Sequence, residues 1–158
     1  KKYNRNIDLM PSNNYSTGEN SLVLDILQDL QSEKIKTSEE IDMELKQKIY
    51  EVFQPFLNFP QNQDNFAEVY ERLKGYEYVK AHEIQEGDYV RYLNPKYFYD
   101  IQLMKGGFVS DIVKKKKQIT LVNGNKVIKI FYPCMTLFRK LDSGDIIKQK
   151  ILSSLMED

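Results

Sequence analysis

His82 and Cys134 are the only histidine and the only cysteine in the chain, so any soft-metal or thiol chemistry must start with them. A zinc site draws three or four Cys, His or carboxylate ligands at set spacings, and these two residues lie far apart in sequence. A Cys–His nucleophilic pair is the one such arrangement that the composition permits. Cys134 follows Pro133 at the end of a β-rich run, where a free cysteine reads as a small buried apolar residue. His82 borders the turn at Ile84 and reads as a surface or packing residue. Gly106-Gly107 lacks the glycine spacing and the following Lys-Ser/Thr of a phosphate-binding loop. The pair opens a strand instead, and backbone freedom at a tight bend accounts for it. Glu39-Glu40 stands at a helix start, where the dipole favours acids. The expectation is a protein that is not an enzyme, with no catalytic, cofactor-binding or metal-binding residues and no cofactor.

Binding chemistry is better supplied. Lys114, Lys115, Lys116 and Lys117 form a basic run, and Tyr92, Tyr97 and Tyr99 offer rings on which bases could stack. Together they constitute the nucleic-acid reading. The competing account of the lysines is a solvated hairpin tip that discourages edge pairing. Tyr97-Phe98-Tyr99 also admits a cage around a cationic side chain, against the alternative that these rings cover a barrel mouth or dock a helix.

The elements that must position these residues follow from periodicity. Residues 1–18 carry no period and read as an extended arm. Residues 19–75 form a helical region. Leu22, Val23, Ile26, Leu27 and Leu30 mark one helix face, and Thr37-Ser38-Glu39-Glu40 resembles a capping box. Ile41, Leu45, Ile49, Val52, Phe53 and Phe56 continue as a stripe that Pro55 kinks or ends. Asp64 would cap a third helix carrying Phe66, Val69, Tyr70 and Leu73, with Gly75 as its stop.

Beyond Gly75 the period shortens to that of strands, predicted near Tyr89–Leu93, Phe108–Lys114, Gln118–Val122, Lys126–Tyr132 and Thr136–Arg139. Asn123-Gly124 signals a type I′ hairpin. The fold class expected is α+β: a helical N-terminal half, a five-stranded SH3-like small barrel over residues 76–141, and a C-terminal amphipathic helix over 142–158. Ile147, Ile151 and Leu155 on that last helix are the expected partner-binding residues.

Lys and Arg balance Asp and Glu at 23 each. Residues 1–75 nevertheless carry 9 basic and 13 acidic groups, and residues 76–158 carry 14 and 10. That asymmetry suits an anionic partner at one end, attraction between the halves, or self-association. No apolar run approaches the roughly 20 residues of a membrane-spanning helix, so no membrane span is expected. A single cysteine favours a reducing, intracellular setting.

Glu86-Gly87-Asp88-Tyr89-Val90-Arg91-Tyr92 followed by Lys105-Gly106-Gly107-Phe108-Val109 resembles the opening of SH3-like small barrels of the Tudor and KOW type. It is also similar to uncharacterised barrel segments of large nucleocytoplasmic DNA viruses, over roughly residues 84–140. The abundance of Lys, Asn, Ile and Tyr points to an AT-rich genome, which fits such a source. The resemblance implies a virion component, such as a minor capsid protein. The function expected is that of a non-enzymatic structural or assembly protein acting through protein–protein contacts with other subunits. The alternative is a nucleic-acid-binding small-barrel module.

Overall fold

The computed structural model describes Leu24 and residues 36–156. The expected arm over residues 1–18 lies outside the described residues, as does the first expected helix apart from Leu24, which is helical and half exposed. Residues 38–146 form one compact unit, and residues 147–158 belong, with residues 1–37, to a second.

Helix α1 spans Ser38–Phe53 and begins one residue after Thr37, as the capping pattern predicts. Ile41, Leu45, Ile49 and Phe53 are its buried stripe. Pro55 then falls in a single 3-10 turn, Gln54–Phe56, that ends the helix. Helix α2 runs Pro60–Arg72, starting four residues before the expected cap at Asp64. Pro60 supplies the reason: its fixed φ suits the first helical turn, and its missing N–H is one the helix start leaves unbonded anyway. The helix closes at Leu73, and Gly75 turns the chain with φ +86°.

Six strands follow, one more than expected: β1 Tyr76–Val79, β2 Tyr89–Leu93, β3 Leu103–Val113, β4 Gln118–Asn123, β5 Lys126–Phe131 and β6 Thr136–Lys140. They form one antiparallel sheet in the order β1-β6-β2-β3-β4-β5, with β1 and β5 as its free edges. β1 has only four residues, too short for its alternation to stand out. β3 begins five residues before the expected Phe108 because two register shifts break its period, one against β2 near Gly106 and one against β4 near Ser110.

The β4–β5 hairpin is also shifted by one residue. Asn123 pairs with Lys126, so Gly124 and Asn125 form the loop. Positive φ occurs at Gly124 but not at Asn125, which is the pattern of a type II′ turn rather than I′.

Two apolar clusters hold this unit together. Val79, Val90, Tyr92, Val109, Ile119, Leu121, Ile130 and Leu137 bring all six strands into one core. These residues line one face of the sheet, and the two bulges in β3 bend and twist it locally. The second cluster joins Leu45, Ile49, Phe53, Val69 and Leu73 of the helical pair to Leu93, Ile101 and Phe138. Helix α3, Ser143–Met156, matches the expected last helix. Asp142 and Asp145 cap its start reciprocally, each side chain accepting the other's backbone N–H.

Candidate interaction surfaces

Neither residue of the Cys–His pair is buried. His82 is exposed on a 3-10 turn, Ala81–Glu83. Cys134 is exposed as well, contrary to the buried strand-end residue expected. The reason is local: Tyr132–Cys134 form a 3-10 turn after β5, so the alternation that would turn Cys134 inward has already ended. Among the described residues, no group of three or more His, Cys, Asp or Glu is placed to hold a metal ion.

The Gly87-Asp88 motif proves to be a structural clasp. The Asp88 carboxylate accepts the Gln85 N–H at 2.8 Å, its carbonyl accepts the Val109 N–H, and the Gly87 N–H donates to the Val109 carbonyl. Arg139 on β6 reaches back to the same turn, donating to the Glu83 carbonyl at 2.9 Å and to Asp88 at 3.4 Å. Its other guanidinium nitrogens bond Glu77, its cross-strand neighbour on β1, at 2.9 and 3.2 Å. Burial opposes the charge on Arg139, but the bonds to Glu77 and the charge of Asp88 outweigh it and hold the group protonated.

The elements of the nucleic-acid reading fall on different elements of the fold. Lys114–Lys116 form a 3-10 turn after β3, and Lys117 follows with φ +53°. Tyr97 and Tyr99 lie before the start of β3, in the connection from β2. Tyr92 is buried in the core of the sheet, and that burial raises its phenol pKa. It presents no ring for stacking.

The connection between β2 and β3, long for a small sheet, is pinned by two asparagines of α2. Asn62 is fully buried, donates to the carbonyls of Phe56 and Phe98 at 2.9 and 2.6 Å, and accepts the Ile101 N–H at 2.8 Å. Asn65 donates to Asp100 and to the Ile101 carbonyl. The connection is thereby fixed, and Tyr97, Phe98 and Tyr99 each stay about half exposed. Phe98 packs on Phe56 and Phe59, which is the helix-docking role weighed for these rings. Tyr97 and Tyr99 meet edge to face at 6.4 Å beside a depression of about 290 Å³ that Asp100 and Met104 also line. Lys96 already stands over the Tyr97 ring at 5.7 Å.

A row of apolar side chains crosses the sheet. Tyr89 on β2 pairs with Phe108 on β3, Phe108 with Val122 on β4, and Val122 with Val127 on β5. Directly opposed residues share a face, so the four form a continuous ladder to a free edge. They lie on the face opposite the core residues Val90, Val109 and Leu121. Phe108 is 56% exposed and Val127 63%. The Tyr89 and Phe108 rings meet at 4.9 Å, nearly perpendicular. Such a row is legible only once the register across the bulged β3 is known.

A hollow of about 470 Å³ opens beside the edge strand β1. Tyr78 and Val79 of β1, Met135 and Leu137 line it together with Tyr132 and Pro133, which follow the other edge strand, β5. Lys48, Lys80 and Lys117 stand on it, with Glu51. Lys48 pairs with Glu51 at 3.5 Å and covers the Tyr78 ring at 4.9 Å.

On α3, Ile147 and Leu155 are about half exposed and Ile151 partly so, while Leu152 is buried. No helix among the described residues is long and apolar enough to cross a membrane. Comparisons with protein families, with curated proteins and with solved structures return no match for this chain.

Proposed function

We propose that this chain is a non-enzymatic structural or assembly module that works through protein–protein contacts. The observation that carries the reading is the apolar ladder Tyr89–Phe108–Val122–Val127, in which Phe108 and Val127 are exposed and Tyr89 and Val122 partly so. A contiguous apolar row ending at a free strand edge is costly to leave in water, and burial against a partner removes that cost. The exposed Ile147 and Leu155 add a second apolar element.

Strands β2 to β6 are read as an SH3-like small barrel, with β1 added outside β6. Supporting this are the order β6-β2-β3-β4-β5, a long strand bent by two bulges, and the 3-10 turn before the last strand. The likeness of residues 84–140 to viral barrel segments extends the proposal to a virion component, such as a minor capsid protein of a large DNA virus.

A nucleic-acid-binding module is the second reading. It rests on Lys114–Lys116, all exposed on one turn. The two separate by photocrosslinking from position 108, with p-benzoylphenylalanine replacing Phe108 in the protein expressed among its native partners. Assembly predicts adducts to a discrete protein that disappear when Val127→Asp is added. Adducts to nucleic acid alone, or to no macromolecule, would overturn it. Oligonucleotide binding that falls steeply with salt and needs Lys114–Lys117 would favour the second reading.

A further inference from the structure

We propose that the hollow beside β1 is a docking groove for an extended, acidic segment of a partner protein. The proposal rests on the protein-docking reading above and gives it a second contact, independent of the Phe108 ladder.

Charge chooses the partner. Among the described residues, neither Lys80 nor Lys117 makes an ion pair, and both line the groove. The one acid there, Glu51, is already paired with Lys48. Lys114, Lys115 and Lys116 extend the same field from the adjoining turn. Two uncommitted ammonium groups over an apolar floor fit a ligand that carries carboxylates and aliphatic side chains together.

Backbone geometry favours an extended ligand. β1 pairs with β6 alone, and α1 packs against the same strand, so the hollow is bounded by strand on one side and helix on the other. An extended segment laid between them can direct alternate side chains to the lysines and to the apolar lining. The apolar surface that such a segment would meet comes from Val52, Ala81, Tyr132 and Pro133, and from Met135, whose flexible thioether adapts to varied side chains.

Lys117 shows that the rim is built to hold its shape. Its φ of +53° is the only positive value among the non-glycine residues described. A lysine held in that region is strained and persists only where its surroundings enforce it. Here the Lys117 N–H donates to the Lys114 carbonyl at 3.1 Å, and its own carbonyl accepts the Tyr132 N–H at 3.0 Å. Nucleic acid fits less well: the Tyr78 ring is capped by Lys48, and stacking needs a bare ring.

The test pans a random dodecapeptide display library on the immobilised full chain, then measures the affinity of the enriched peptides. Enrichment of sequences combining Asp or Glu with aliphatic residues is expected. Their affinity should fall about tenfold or more in Lys80→Glu/Lys117→Glu, as expected when two charge-assisted contacts become repulsive. Lys80→Gln/Lys117→Gln should show a smaller loss, and Phe108→Asp none. Thermal melts of all three variants establish that they fold. No enrichment, enrichment without acidic bias, unchanged affinity in the lysine variants, or full competition by a thymidine oligomer would each overturn the groove assignment. Should these occur while position 108 still crosslinks to protein, the groove fails and the assembly reading stands. Loss of crosslinking with retained peptide binding is the reverse case.

Discussion

Gly106 lies so close to β2 that a β carbon on it would stand 1.8 Å from the Val90 carbonyl oxygen. Its neighbour Gly107 presses on the opposite strand, where a β carbon would meet the Val122 carbonyl oxygen at 2.5 Å. Two adjacent glycines thus let β3 sit against both neighbours at the bend, and Gly106 adds a φ of +68°.

Gly106→Ala should therefore lose roughly 3–5 kcal/mol of stability or fail to fold, because backbone cannot yield to the added methyl as a side chain can. Gly124→Ala is the matched control: φ is +62° but nothing lies within 4 Å, so about 1–2 kcal/mol of conformational strain is all it should show. Urea unfolding of the two variants measures the difference.

Asn62→Leu would strip the side-chain partner from the Ile101 N–H and from the Phe98 carbonyl, while the Phe56 carbonyl keeps the Phe59 N–H. A buried polar group left without a partner costs about 1–3 kcal/mol, so a loss of that size or greater is expected. The readout specific to this role is hydrogen exchange: the Ile101 amide should lose protection far more than the amides of β4. Equal loss everywhere would show a general defect in place of a released connection.

The α1–α2 pair carries a pH signature. The Tyr70 hydroxyl donates to Asp42, and this bond, with help from Lys46, holds the Asp42 carboxyl below the usual carboxylate range. With the folded value depressed, the unfolded chain binds the proton first. The contribution is complete above the ordinary aspartate value and disappears as pH falls through the folded one. Tyr70→Phe should flatten the acid limb of a urea-midpoint profile taken from about pH 3 to pH 7.

Asp145 has the opposite sign: burial, reinforced by the charge of Asp142, raises its carboxyl. Its contribution is complete below the ordinary value and is lost as pH rises through the raised one. Asp145→Asn should remove that decline.

Cys134 should react in the native state. The folded protein is expected to take up one equivalent of a maleimide without prior denaturation, since the thiol is exposed. Cys134→Ser should change stability by no more than about 0.5 kcal/mol, as an exposed position with no packing role allows. Slow labelling that tracks unfolding would contradict its placement.

The helical stripe was readable from sequence because Ile41, Leu45, Ile49 and Phe53 repeat at the helical period and all face one core. The last helix was readable for similar reasons. Asn62 was not, since a polar residue on a helix looks like a solvated one until the chain that folds over it is known. Register defeated the rest. Each bulge in β3 exchanges inward and outward positions, so alternation alone does not tell that Val109 faces the core while Phe108 stands 56% exposed. Tyr92 erred the other way, appearing as an available ring and lying inside. The groove joins residues from α1, β1 and the turns around β5, which no local pattern connects.

Consecutive residues of β6 serve different interiors: Leu137 belongs to the core formed by the six strands, Phe138 to the one shared with the helices. Withdrawing this five-residue strand would open both at once, so helices and sheet should melt in a single concerted transition. The same strand is slow to recruit, because its pairing with β1 joins Glu77 to Arg139 across 62 positions of chain. The β3–β4–β5 meander closes over short loops, so the docking of β6 is expected to come late in folding, and substitutions in β6 should speed unfolding more than they slow folding.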